Sequence, residues 1–469
     1  ARSRARSRGA ALLQRSACPI AEMGALFSRL LSNPQVPRRL EHEASPSSPD
    51  PFSVNFTVSA HHRKIWIAPD DGSYPETELR VKGANWAGFQ ASGCVHELWK
   101  YNVSDYVDYL VRHRYNAIRL PISGWIVQQP SFVIDDDYIC GRSFAGLESM
   151  VILDRVLAAL RVAGIFVMLD MHTLSHPEHN NRIWCLSGHS GCSPYWERDV
   201  FNAWRILARR YCEQPHVILA DLFNEPAGGR WGGGGRDDWA SFAERMGNAI
   251  LEICPRWLIA VQGVGGGGYW WGENIAPQRS RPIRLALPDR LVLSPHTYGH
   301  NPGMWYMGSP DFPANMPAVW ISLWADLCIG DAAGAPCLIG EWGGVMRVSN
   351  WKGRNIPDTS VWQAAFAAFL LNHSIGFFYW TLNDNSFKTG SLMNDYLGDS
   401  DKRAGLLAPL PSTTMSQLQA SWTAPPTPPP APPAPPPAPP APPAPPPYPP
   451  QLAPRPPPSP SPPPSPPPM

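Results

Sequence analysis

The residues of this chain that could do chemistry sit where apolar runs stop. Val217-Ile218-Leu219-Ala220-Asp221-Leu222-Phe223 runs into Asn224-Glu225-Pro226, and Cys337-Leu338-Ile339-Gly340 runs into Glu341-Trp342-Gly343-Gly344. A buried strand that ends at an amide and a carboxylate fits the rim of a (β/α)8 barrel, where site residues lie at strand C-termini. Glu225 and Glu341 are 116 residues apart, so they can meet only across a fold. Two facing carboxylates are the equipment for cleaving a glycosidic bond.

Other apolar runs end in the same way. Arg119, His172, His296, Tyr298 and Trp380 each close a run of strand length, as Asn224, Glu225 and Glu341 do. A lone strand-end histidine is more often a satisfied structural residue. A whole set of such residues at one rim is not explained by packing.

The elements that must position them follow from periodicity. Strands are expected at Val81 to Phe89, Asn116 to Ile122, Ile165 to His172, Val217 to Glu225, Leu258 to Val264, Leu291 to Tyr298, Pro336 to Glu341 and Gly376 to Leu382. Helical patterns alternate with them at Val103 to Arg112, Ser149 to Ala163, Trp196 to Tyr211, Asp238 to Ile253, Met316 to Asp326 and Ser360 to Asn372. Such alternation argues for a parallel α/β fold, and eight strands argue for a TIM barrel. Ser104 is placed to cap the first helix, with Asp105 in its first turn. Phe52 to Leu79, with its Asp70-Asp71-Gly72 turn, is expected to form an N-terminal β-hairpin that plugs the barrel bottom.

Composition bounds the rest. A net charge of +1 on 469 residues gives no reason to expect nucleic acid or an anionic membrane as partner. No run of eighteen apolar residues suggests a transmembrane helix. The 20 tryptophans exceed what a core needs, and indole faces suit stacking on sugar rings. The 57 prolines concentrate in residues 424–469, a Pro-Ala-Ser stretch expected to be a polyproline II rod acting as a spacer or wall-associated segment. Residues 1–50 read as a disordered or targeting segment. That leaves 51–423 as the catalytic domain. All eight strands and both glutamates precede Leu418, so the chain beyond it is expected to be dispensable for the fold.

The nine cysteines suggest an oxidising compartment. Cys212 and Cys254 follow adjacent helices and are close enough to bridge, Cys328 and Cys337 flank one loop, and Cys185 and Cys192 bracket another. The sequons at Asn55, Asn102 and Asn372 agree with secretion. Cys185 and Cys192 with His172, His176, His179 and His189 match no standard zinc spacing, so no metal is expected there. The Gly-rich stretch after Pro226 lacks the Lys-Ser ending of a phosphate loop and is expected to be mobile.

With these residues in view, the chain resembles family 5 glycoside hydrolases of the cellulase superfamily over residues 52–410. Gly83-Ala84-Asn85-Trp86-Ala87-Gly88-Phe89, Tyr269-Trp270-Trp271-Gly272-Glu273-Asn274 and Pro310-Asp311-Phe312-Pro313-Ala314-Asn315-Met316-Pro317 are similar to the actinomycete-type endoglucanases of that family. The family's catalytic set falls on Arg119, His172, Asn224, Glu225, His296, Tyr298, Glu341 and Trp380. The resemblance implies a retaining endo-β-1,4-glucanase with Glu225 as general acid/base and Glu341 as nucleophile. It implies that Asn224 meets the sugar 2-hydroxyl, that His172 and His296 serve sugar hydroxyls or the acid/base, and that Trp380 forms a stacking floor. Arg119 and Tyr298 suit Glu341, because a guanidinium and a phenol both favour a carboxylate. Trp86, Trp270 and Trp271 are candidates to extend a groove. No cofactor is implied; the expected partner is a β-glucan and the expected state a secreted monomer. A mannanase, another β-glycanase of the family, or a non-catalytic wall-binding protein are the alternatives.

Overall fold

A parallel strand covered by helices has no solvent face, so it must be apolar on both sides. The runs that meet this condition become strands in the computed structural model, which describes residues 50–129, 131–134, 140–174, 197–266, 269–299, 305–330, 334–351, 354–356, 358–384, 389–393 and 398–423. An antiparallel hairpin, β1 (Phe56–His61) and β2 (Lys64–Pro69), comes first. The parallel strands are β3 (Lys82–Asn85), β4 (Ala117–Ser123), β5 (Phe166–Thr173), β6 (Val217–Asp221), β7 (Leu258–Val261), β8 (Leu291–Leu293), β9 (His296–Tyr298), β10 (Leu338–Gly343) and β11 (Gly376–Tyr379).

These nine form one sheet in the order β8-β7-β6-β5-β4-β3-β11-β10-β9. Its two ends, β8 and β9, are consecutive pieces of one expected strand, interrupted at Ser294-Pro295, where proline has no N–H for the ladder. The sheet therefore closes on itself as an eight-stranded barrel. A Leu293–Cys337 bridge continues the pairing of β8 toward β10.

The helices fall where the pattern puts them: α1 (Val103–Arg112), α2 (Ser149–Val162), α3 (Glu197–Tyr211), α4 (Trp239–Leu251), α5 (Met316–Leu323) and α6 (Ser360–His373). Two details differ. The first helix is capped by Asn102, not Ser104, and the Asn102 N–H donates to Asp105 Oδ2 at 2.9 Å. α5 stops at Leu323, and a 3-10 turn over Ala325–Leu327 completes the expected helix.

The hairpin does pack at the barrel bottom. Phe52, Phe56, Val58 and Ile67 share a buried cluster with strand residues Ala117, Phe166, Ile218 and Leu258. Its turn is His62-Arg63, with φ of 47° and 59°, the left-handed pair of a tight two-residue hairpin. The Asp70-Asp71-Gly72 turn instead follows β2. Helix α7 (Met415–Thr423) joins the same cluster through Met415, Leu418 and Trp422. Leu418 is therefore not a safe end to the folded domain. Residues 1–49 and 424–469 lie outside the described residues.

Disulfides join Cys212 to Cys254 and Cys328 to Cys337, as the spacing suggested. A third, Cys94 to Cys140, ties the loop after β3 to the chain before α2 and had no sequence signal. Cys185, Cys192 and the histidines between them lie outside the described residues. Among the described residues, Trp86, Trp204, Trp239, Trp257, Trp320, Trp324, Trp342 and Trp362 are fully buried and serve packing.

Candidate active site

The barrel brings the strand-end residues to one rim, and Arg119 is the group around which they are arranged. It rises from β4 with its side chain fully buried. Nε donates to Asp221 Oδ2 at 3.0 Å. One terminal nitrogen donates to Asn85 Oδ1 at 3.0 Å and to Glu341 Oε1 at 2.6 Å. The other reaches Asn224 Oδ1 at 2.8 Å and Asp170 Oδ2 at 2.9 Å. A guanidinium has five N–H donors, and here each has an oxygen. Burial opposes its charge, but Asp170, Asp221 and Glu341 more than offset this, and its pKa is raised.

Glu341, on β10, is gripped at both oxygens. Tyr298, on β9, donates its hydroxyl to Oε2 at 2.7 Å while Arg119 holds Oε1. Burial pushes Glu341 up, and Arg119, His172 and the Tyr298 phenol pull against that rise. The net direction is upward, so desolvation outweighs the donors that the sequence pointed to. The same burial, with Glu341 and Glu225 alongside, pushes the Tyr298 phenol well up, so it stays protonated and can donate.

Glu225 stands opposite, just past the end of β6. A carboxylate oxygen of each glutamate and a ring nitrogen of His296 all lie within 4.8 Å of one another. His296 Nδ1 is 3.2 Å from Glu225 Oε1 and 3.7 Å from Glu341 Oε2. Burial, then Arg119 and His172, push His296 well below its usual range, so its imidazole is neutral. These three donors could converge on a metal ion. Both Glu341 oxygens already accept from Arg119 and Tyr298, however, which suits a carboxylate aimed at a substrate better than a ligand.

Asn224 has its amide oriented. Its oxygen accepts from Arg119, which leaves Nδ2 as a donor, 3.4 Å from His172 Nε2. His172 in turn has Nδ1 2.7 Å from Asp170 Oδ2. Trp380 stacks on the His172 ring with centroids 5.6 Å apart and planes at 14°. It also packs with Tyr298 and Ala87. All eight strand-end residues thus belong to one constellation. Trp86 does not: it is fully buried against Tyr106, at 4.8 Å between rings, and so lies in the core and not on a groove wall. The side chains of Trp270 and Trp271 lie outside the described residues.

Sequence reasoning passed over four residues of the network: Asn85, Asp170, Asp221 and Gln262. Asp170 and Asp221 pair across β5 and β6, and burial pushes each up to about 7 while Arg119 pulls the other way. The signal was present. Each is a charge inside an apolar strand, and Asp170 sits two residues before His172, on the same face. Gln262 is likewise a polar residue within the run expected for the fifth strand.

The Gly-rich loop is not left to move freely. Asp238, the cap of α4, accepts the N–H of Gly232 at 3.0 Å, of Gly234 at 2.9 Å and of Ser241 at 3.0 Å. Trp231 Nε1 donates to the Arg281 carbonyl at 2.8 Å.

A closed parallel barrel with two glutamates facing each other at its C-terminal rim fits the two-carboxylate site of a glycoside hydrolase. The model of the cellulase family, glycosyl hydrolase family 5, matches residues 77–386, and the chain belongs to that family. An endoglucanase of Paenibacillus polymyxa is 36% identical over 367 residues, covering 75% of this chain and 86% of that protein. The major extracellular endoglucanase of Xanthomonas campestris pv. campestris is 33% identical over 332 residues, covering 68% of this chain and 64% of that protein. Among solved structures, the endocellulase of Pyrococcus horikoshii in complex with cellotetraose superposes with a TM-score of 0.67 at 28% identity. That match covers 76% of this chain and 99% of that one.

Proposed function

We propose that this protein is a retaining endo-β-1,4-glucanase in which Glu225 is the acid/base and Glu341 the nucleophile. The observation that carries this reading is the pair itself. Glu341 is fixed at both oxygens, and a Glu225 oxygen lies within 4.8 Å of one of them. Retaining enzymes need carboxyl groups about 5–5.5 Å apart, whereas inverting ones leave room for water at about 6.5–9.5 Å.

In the first step Glu341 attacks the anomeric carbon and the glycosidic C–O bond breaks. The proton of Glu225 goes to the leaving oxygen. In the second, Glu225 takes a proton from water, whose oxygen displaces Glu341. Asn224 presents Nδ2 to the sugar 2-hydroxyl, and Trp380 backs the reacting ring. Three disulfides among the described residues and the exposed sequons at Asn55, Asn102 and Asn372 support an extracellular location for a monomer built as one barrel. The Pro-rich tail would then act as a spacer toward wall material.

The test compares Glu225→Gln with Glu341→Gln on soluble β-glucan and on an aryl cellobioside with a good leaving group. Both should lose several orders of magnitude on the glucan, roughly 10³-fold or more. Only Glu225→Gln should be spared in kcat/KM on the aryl substrate, whose cleavage needs little protonation. Sparing of Glu341→Gln instead would reverse the assignment. Turnover on carboxymethyl cellulose but not on mannan is expected and would set aside the mannanase alternative.

A further inference from the structure

Glu225 sits in a backbone conformation that needs a reason. Its φ is 46°, in the left-handed region that side-chain-bearing residues rarely adopt. Pro226 follows and disfavours the right-handed helical alternative, so an extended conformation is the competing choice. The pose places the carboxylate toward Glu341, and something must hold it there.

Gln262 is the residue in position to do so. It follows β7, is fully buried, and makes two directed contacts through one amide. Its Oε1 accepts the Glu225 N–H at 2.7 Å. Its Nε2 donates to Asp221 Oδ2 at 2.9 Å, the oxygen that also takes Arg119 Nε at 3.0 Å. Arg119 then grips Glu341. The amide cannot simply turn over, because its ends face a donor on one side and a carboxylate on the other. Its own backbone is fixed too, since the Gln262 carbonyl accepts Trp239 Nε1 at 2.8 Å. The chain pairs back on itself beside it, with the Gly263 N–H donating to the Gly272 carbonyl at 2.8 Å. Gly272 has φ of 65°, and a Cβ there would stand 3.2 Å from Gln262 Oε1, so the glycine leaves just enough room for this amide.

We propose that Gln262 is a positioning residue: it holds Glu225 in the pose from which it protonates the leaving group, and ties that pose to the guanidinium that holds Glu341. The proposal rests on Glu225 being the acid/base. It assigns Gln262 no contact with substrate, so its effect must appear through Glu225 and selectively in the step that needs an acid.

The experiment uses the full chain on two substrates: soluble β-glucan, and an aryl cellobioside with a good leaving group. Gln262→Met keeps the length and removes both hydrogen bonds. It should lower kcat on glucan by about tenfold to a hundredfold, the scale of a misplacement near 1 Å, with KM little changed. On the aryl substrate the loss in kcat/KM, which reports cleavage of the glycosidic bond before Glu225 acts as base, should be about threefold or less. Gln262→Glu keeps an oxygen for the Glu225 N–H but sets a second against Asp221 Oδ2 in place of the donor, so it should restore glucan turnover only in part. If Gln262→Met gives no folded protein, Gln262→Asn, which withdraws the acceptor by one methylene, should show the same selective loss. Equal loss on both substrates, or no loss on either, overturns the proposal. Glu225→Gln run beside these variants separates the two ideas. If it is not spared on the aryl substrate, the acid/base assignment fails; if it is spared and the Gln262 variants are not, only the role of Gln262 fails.

Discussion

Three carboxylates around one guanidinium leave the middle of this barrel short of positive charge. Asp170, Asp221 and Glu341 all bond Arg119, and all four side chains are buried. Removing the cation would strand the anions, which typically costs about 3–5 kcal/mol. Arg119→Met should therefore lose stability as well as activity, and more at pH 8 than at pH 5, where the carboxyls can take up protons. Urea unfolding at the two pH values checks this. An unchanged midpoint at pH 8 would show that the anions find other partners.

Glu273 offers a cleaner test of a buried charge. It lies outside the Arg119 network, with Oε1 accepting the Thr297 hydroxyl at 2.7 Å. Oε2 has no hydrogen-bond partner among the described residues. Burial pushes it up to about 7, and the Thr297 hydrogen bond only partly opposes this. The folded state thus holds a proton that the unfolded state releases near its ordinary pKa. Between roughly pH 4.3 and 7 the folded chain binds more protons, so stability falls as pH rises and levels off above 7. Glu273→Gln removes that dependence. Its stability relative to the parent should grow through this window, to a few kcal/mol at most. A difference in melting temperature that is the same at pH 5 and pH 8 would contradict the argument.

At the scale of elements, what was legible was what repeats. Apolar runs of strand length and their polar ends marked every strand of the barrel and the eight residues at its rim. What was hidden depends on which side chains meet in space. Trp86 is a groove candidate on the resemblance alone, yet it turns onto Tyr106, and nothing local in the sequence distinguishes the two directions. Asp170 and Asp221 were legible as oddities but not as Arg119 partners, because that pairing is set by the stagger of adjacent strands. Desolvation of Glu341 was invisible for the same reason: the donors can be named from a sequence, whereas burial belongs to the folded barrel.

The Gly-rich loop shows how one side chain can order an element. Composition alone argues for mobility, but the Asp238 carboxylate gathers N–H groups from Gly232, Gly234 and Ser241, and the Ser241 hydroxyl at 2.7 Å. Burial works against its charge, and these donors nevertheless hold its pKa below the usual value. Asp238→Ala removes a helix cap and the loop's anchor together. It should cost about 2 kcal/mol or more, the upper end for a cap alone. Amide exchange at Gly232 and Gly234 should speed up, while β7 stays protected. Unaltered exchange in the loop would mean that the Trp231–Arg281 contact suffices to hold it.

For the whole molecule, the question is where the folded barrel ends and the Pro-rich stretch takes over. The last strand and both glutamates precede residue 400, which would allow an early boundary. Packing sets a later one. Trp422 is 6% exposed and lies beside Phe56, with rings 6.4 Å apart, and Gln419 Nε2 donates to the Pro51 carbonyl at 2.9 Å. Helix α7 therefore closes the barrel bottom together with the hairpin, at the end away from the catalytic rim. A cut after Leu418 deletes Trp422 and Gln419 and should destabilise by about 3–5 kcal/mol, the scale of removing a buried Trp. A cut after Thr423 removes only sequence too poor in apolar residues to build a core, and should leave the melting temperature unchanged. Both shortened chains should match the parent on soluble glucan at temperatures where they are folded, since the rim is untouched. The cut after Thr423 should differ from the parent only on insoluble wall material. If both cuts melt alike, α7 is not part of the closure; if the longer shortened chain equals the parent on insoluble material too, the tail is not a spacer.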